Sequence, residues 1–126
     1  MPFEAGIDAG ADSVLVSHNI MSCLDTAEPA SLSGAVHDYL RNTLHFDGVI
    51  ITDDFDMKGL SDFIDQDNGA VQAVQAGNDM MISSSYKDQI PSVVQAVQNG
   101  TLSESAIDAS VRRILKMKIN LGIITL

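Results

Sequence analysis

The chain has 126 residues, enough for one ordinary domain with its own core, and 45% of them are hydrophobic, which argues against intrinsic disorder. Acidic residues outnumber basic ones 17 to 7, and the formal net charge of -10 repels phosphate backbones, so neither nucleic acid nor an anionic membrane surface is expected as a partner. Cys23 is the single cysteine, which rules out an internal disulfide framework and a cysteine zinc cluster.

In chain order, residues 13–17 (SVLVS) form the first run dense in β-branched and apolar side chains, preceded by Ala9-Gly10-Ala11-Asp12. Ser31-Leu32-Ser33 then opens a helix in which Val36, Leu40 and Leu44 recur at spacing four. A second run, Val49 to Thr52 (VIIT), follows Phe46-Asp47-Gly48. A helix over Ala70, Val71, Ala73, Val74 and Ala76 leads through Gly77-Asn78-Asp79 into a third run, Met80 to Ser83 (MMIS). Each run is apolar on consecutive residues, as a parallel strand covered on both faces requires, and a glycine beside an acidic residue turns the chain into each. Ile90, Val93, Val94 and Val97 mark a further helix closed by Asn99-Gly100, with Pro91 early enough to be tolerated. Ser103 starts the last helix, through Ile107, Val111, Ile114 and Leu115 to Leu121. Its basic residues Arg112, Arg113, Lys116 and Lys118 lie toward the end that the helix dipole makes favourable for them.

The strand starts are 36 and then 31 residues apart. That spacing is close to the roughly 31 residues per unit of a (β/α)8 barrel of about 250 residues. A self-contained doubly wound domain has similar spacing, but three strands would leave two raw edges and a half-covered sheet. The expected fold is therefore α/β: the C-terminal three β/α units of a (β/α)8 TIM barrel, with residues 1–126 as one partial domain. Its open sheet edges are expected to drive self-association. No apolar run approaches the roughly 20 residues that span a bilayer, and the first residues lack the order of a secretory signal; the compartment stays open.

In a parallel barrel the ligand site lies at the carboxyl ends of the strands, and the exits here are polar: Ser17-His18-Asn19, Thr52-Asp53-Asp54 and Ser83-Ser84-Ser85. Asp53 follows directly on the second run and is placed as a carboxylate nucleophile would be, although an aspartate there also serves as a helix cap. His18 is placed either to orient a sugar or a carboxylate, or to pack as a hydrogen-bonded histidine. Met57 is a candidate lining residue of the pocket, the other methionines being core filling. Asp53, Asp54 and Asp56 begin like a calcium loop, but Lys58 stands where that loop needs glycine and Asp65 where it needs glutamate, so no metal is expected. No Gly-rich phosphate loop, Cys or His ligand set, or Gly-x-Ser-x-Gly elbow is present, and no cofactor is expected. The missing phosphate loop also weakens a reading as a barrel enzyme for phosphorylated ligands.

Residues 9–19 (AGADSVLVSHN), 29–33 (PASLS) and 46–57 (FDGVIITDDFDM) resemble consecutive segments of family 3 glycoside hydrolases. The resemblance continues through 76–81 (AGNDMM) and 106–118 (AIDASVRRILKMK) and so covers almost the whole chain. The chain is similar to the C-terminal part of that family's catalytic barrel. In the family the first acid after Ser or Thr in the second block is the nucleophile, which maps to Asp53. The β-glucosidase branch usually carries a tryptophan soon after it, and this chain has none; the TDDFDM form is similar to the β-N-acetylglucosaminidase (β-hexosaminidase) branch. The resemblance implies retaining hydrolysis of terminal β-linked N-acetylglucosamine through a glycosyl-aspartate. It also exposes a departure. The branch carries its acid/base histidine on an upstream loop of Lys-His-Phe-Pro-Gly-His-Gly type, and nothing here matches that loop, so the chain alone is expected to be inactive or nearly so. Met1-Pro2-Phe3-Glu4 resembles an internal segment of the family, which implies a fragment. The competing expectation is a non-catalytic carbohydrate-binding or assembly module derived from such a barrel.

Overall fold

The structure, a computed structural model, describes residues 2–55, 60, 63–64 and 68–125. Helix α1 (Pro2–Asp8) leads into strand β1 (Ser13–Val16); α2 (Gly34–Asp38) precedes β2 (Val49–Asp54); α3 (Gly69–Ala76) precedes β3 (Met80–Ile82); α4 (Tyr86–Gln98) and α5 (Glu104–Asn120) complete the chain. The strands form one sheet in the order β1-β2-β3, parallel throughout. Each strand thus pairs with its neighbour in sequence after a helical crossover.

One face of the sheet carries the core. Val14, Val16 and Ile50 pack with Val36, Leu40 and Phe46, while a second cluster joins Leu32, Phe55, Leu60 and Ala73. The other face is covered at Val49 but open beyond it, contrary to the expectation that the strands are covered on both sides. β1 alternates exposed and buried, and Leu15 and Ile82 are 48% and 41% exposed. Its consecutive apolar residues provide for a second layer that the described residues do not supply. The stripes predicted on the last two helices are covered in part: Val93 and Val97 pack on a third cluster of Val71, Ala96 and Leu102, whereas Ile90, Val94, Val111 and Leu115 are exposed. No helix among the described residues is long and apolar enough to cross a membrane.

Two helices start at side-chain caps. Ser33 Oγ accepts from Val36 N–H at 3.3 Å and donates to Asp25 Oδ2 at 2.7 Å, and Ser103 Oγ accepts from Ala106 N–H. That Ser33 hydrogen bond, reinforced by the Ala27 and Glu28 amides, holds the Asp25 carboxyl below its ordinary range. α2 continues as a π-helical turn, Tyr39–Thr43, in which Leu44 N–H reaches back to Tyr39 O at 3.0 Å. The wider turn leaves Leu44 only partly buried and swings Arg41 across the amino end of β2. Pro91 lies in the second turn of α4, later than the sequence suggests, so the helix loses the hydrogen bond that position would have donated to the Lys87 carbonyl.

Toward the amino end of the sheet, Asp79 is a four-way clamp. Its Oδ2 accepts from Arg41 Nη2 at 2.6 Å and from Ile50 N–H at 2.9 Å; its Oδ1 accepts from Ser110 Oγ at 2.8 Å and from Arg113 Nη1 at 2.9 Å. The Asp79 side chain is fully buried. Arg41 also donates to the carbonyls of Phe46 and Gly48, so a single carboxylate ties the π turn, β2 and α5 together.

Candidate active site

The candidate site is at the opposite, carboxyl end of the sheet. β1 pairs with β2 in unbroken register, Val16 opposite Thr52, but β2 and β3 slip: Ile51 is opposite Met80 whereas Asp54 is opposite Ile82. Three steps along β2 match two along β3, so Thr52 and Asp53 occupy a β-bulge. Bulges re-aim side chains at strand ends and recur beside active sites. Thr52 fills the defect from within: it is fully buried, and its Oγ1 accepts from Ile82 N–H at 3.3 Å. Thr52→Val keeps the shape and removes that acceptor. It is expected to cost about 1–3 kcal/mol, the penalty for a buried unpaired amide, read as a lower urea midpoint together with faster amide exchange at Ile82.

Asp53 and Asp54 are both partly exposed, between buried Thr52 and buried Phe55. Asp54 N–H donates to Asp53 Oδ1 at 2.8 Å, which fixes one oxygen of the carboxylate. Phe55 N–H donates to Ile82 O at 3.0 Å, which carries the pairing past the bulge. Asp53 therefore belongs to the strand itself, which runs to Asp54, two residues beyond its predicted end at Thr52. As a hydrogen-bonded carboxylate on a rigid element, it has the geometry that a nucleophile or an electrostatic stabiliser needs.

His18 leaves β1 beside it. Its Nδ1 is 2.7 Å from Ser31 Oγ, its Nε2 is 3.0 Å from Asp54 O, and its ring meets the Phe55 ring edge to face with centroids 5.6 Å apart. Ser17 Oγ donates to Asn19 Oδ1 at the same exit. His18 thus meets the backbone of the residue that follows Asp53. Met57, with Asp56, Lys58 and Asp65, lies outside the described residues. Among the described residues no group of three or more His, Cys, Asp or Glu converges as a metal site would require. The bulge, the Thr52 hydroxyl and the part played by Ser31 escape sequence reasoning, because all three depend on pairing between segments 13 to 36 residues apart.

Residues 1–117 match the glycosyl hydrolase family 3 N terminal domain. The chain is 29% identical over 117 residues to the beta-hexosaminidase of Methylococcus capsulatus, covering 93% of this chain and 34% of that protein. It is 27% identical over 126 residues to the periplasmic beta-glucosidase of Salmonella typhimurium, covering 97% of this chain and 16% of that protein. Among solved structures, it superposes on the family 3 β-N-acetylglucosaminidase of Paenibacillus sp. FPU-7 with a TM-score of 0.88 and 36% identity, over 99% of this chain and 26% of that one. The chain thus spans about a third or less of these relatives.

Proposed function

The chain belongs to glycosyl hydrolase family 3, and from that premise we propose that it forms the C-terminal three β/α units of the (β/α)8 catalytic barrel of a retaining β-N-acetylglucosaminidase, with Asp53 as nucleophile. The observation that carries the reading is the placement of Asp53: a partly exposed carboxylate on a bulge at the carboxyl end of the central parallel strand. In the proposed reaction an oxygen of Asp53 attacks the anomeric carbon of a terminal β-linked N-acetylglucosamine as the bond to the aglycone oxygen breaks. That oxygen takes a proton from a general acid. Water, deprotonated by the same group, then releases the sugar from the glycosyl-aspartate.

The ring nitrogens of His18 both face protein groups, which leaves a sugar only the rim of the imidazole. No acid is therefore assigned among the described residues, and an alkoxide leaves poorly without one. We propose that the isolated chain turns over little or no substrate. Its sheet face, with Leu15 and Ile82 exposed, and its β1 and β3 edges, which pair with no further strand among the described residues, suit association with the remainder of a barrel or with a second copy.

The test compares the wild-type chain with Asp53→Ala on a chromogenic β-N-acetylglucosaminide and on the matching β-glucoside. Each is assayed alone and with the complementary barrel segment of an active relative supplied in trans. The expected result is no turnover alone, then hydrolysis of the N-acetylglucosaminide on complementation that falls to assay background in Asp53→Ala. Turnover by the lone wild-type chain would show that it holds its own acid, and turnover indifferent to Asp53→Ala would remove the nucleophile assignment. Preference for the glucoside would move the substrate to the other branch. Complementation that assembles but never turns over would favour the non-catalytic binding or assembly module.

A further inference from the structure

We infer that His18 is a positioning residue for Asp53: clamped by Ser31, it holds residue 54 so that the Asp54 amide stays on the Asp53 carboxylate. This rests on the reading of Asp53 as nucleophile.

The chemistry of the contacts fixes the proton on the ring. Asp54 O is a carbonyl and can only accept, so His18 Nε2 must carry hydrogen to make its 3.0 Å contact. In neutral imidazole Nδ1 is then an acceptor, and the Ser31 hydroxyl, 2.7 Å away, donates to it. Hydrogen bonds thus run from Ser31 Oγ–H to His18 Nδ1 and from His18 Nε2–H to Asp54 O; on the preceding peptide of the same residue, Asp54 N–H donates to Asp53 Oδ1. The ring has little freedom to leave this line. The edge contact with Phe55 holds one side, and Phe55 is itself buried and bonded to Ile82 O.

The anchor is also built in. Ser31 is fully buried, its N–H donates to Ser17 O at 3.1 Å, and its carbonyl accepts from Asn78 Nδ2 at 2.7 Å. The serine that orients His18 is thereby tied to both β1 and the approach to β3, the segments on either side of β2. A bulge has an unpaired residue and a locally disrupted ladder, so a contact from outside the β2–β3 pairing steadies residue 54. His18 supplies that contact. The attacking oxygen of a carboxylate needs its partner oxygen held, because productive geometry is a matter of a few tenths of an ångström.

The experiment is an NMR comparison of the wild-type chain with His18→Leu, His18→Gln and Ser31→Ala. Ring 15N shifts report the His18 tautomer, the 13C carboxyl signal reports the Asp53 environment, and amide exchange reports Asp54, with Val49 and Ile50 as references bonded at the far end of β2. The expected wild-type ring is the neutral Nε2–H form. In His18→Leu, Asp54 protection should fall on the order of tenfold, the worth of one hydrogen bond, and the Asp53 carboxyl signal should move while Val49 and Ile50 hold. His18→Gln, whose amide N–H reaches the Nε2 position, should recover both signals. Ser31→Ala should move them in the same direction with less risk to folding than the leucine variant. An Nδ1–H ring, an Asp53 signal indifferent to every variant, or an equal loss of protection along all of β2 that glutamine fails to rescue would overturn the inference. If Asp53 responds to His18 but complemented turnover ignores Asp53→Ala, the inference falls together with the nucleophile reading; if turnover requires Asp53 and its signal ignores His18, it falls alone.

Discussion

Asp79→Ala is expected to destabilise the fold by about 3–5 kcal/mol, the range found when one partner of a buried ion pair is removed, a large part of the stability of a domain this size. The side chain is fully buried and meets four donors, so its loss strands more than a charge. Arg41 is the main casualty. Burial already pulls its guanidinium below its ordinary pKa despite the attraction of Asp79, which means that desolvation is the dominant effect on it even with the carboxylate in place. Ile50 N–H, at the start of the central strand, would lose its acceptor as well. Asp79→Asn keeps the shape and an acceptor oxygen but not the charge, and should fall between alanine and wild type. The measurement is urea unfolding followed by circular dichroism, with Asp108→Ala on the exposed side of α5 as the reference, expected within about 0.5 kcal/mol of wild type. A midpoint shift for Asp79→Ala no larger than that of the reference would mean that the clamp holds nothing together.

The same residue marks a boundary between what the sequence discloses and what it conceals. Residues 76–79 (AGND) are legible as a turn into a strand, and Gly77 does end α3 in the left-handed region, at φ 115. The duty of Asp79 is not legible, because Arg41 and Arg113 lie 38 and 34 residues away and only the fold brings them in. Strand positions can be read directly, since three consecutive apolar residues in a short run between turn signals are too short for a helix and suit a buried strand. Asp53 can be read as well, as the first carboxylate after such a run. The bulge beneath it cannot: it is a mismatch between β2 and β3, and each strand looks regular alone. His18 is visible at a strand exit, but its partners are a serine 13 residues on and a carbonyl 36 residues on, so the choice between sugar contact and internal contact is a question of tertiary structure. The helix spacing of Val36, Leu40 and Leu44 is legible in its first two members and fails at the third, because nothing in the local sequence announces the π turn.

Gly48 shows how a correct position can rest on the wrong physical reason, and it supplies the second large effect. It precedes β2 as Gly10 and Gly77 precede β1 and β3, yet it is absent from the left-handed glycines; what it requires is space. A Cβ there would lie 2.4 Å from Phe46 Cζ and 2.6 Å from the Asp12 carbonyl oxygen. The ring belongs to a packed core, and the carbonyl is held by Val49 N–H at 3.0 Å, so neither neighbour yields cheaply. Gly48→Ala is expected to cost toward the upper end of about 1–3 kcal/mol for overpacking, against the gain of up to roughly 1 kcal/mol that Ala offers over Gly where it fits. Gly34→Ala, in the first turn of α2 with nothing within 4 Å of the added carbon, provides that comparison and should be neutral or stabilising. Relief of the clash with the Asp12 carbonyl moves β2 away from β1, and the register that sets Val16 opposite Thr52 runs from this point to the bulge. Amide shifts in Gly48→Ala should therefore change along β2 as far as Asp54, whereas a perturbation confined to residues 46–49 would show that the strand absorbs the clash locally and that the carboxyl end is insulated from it.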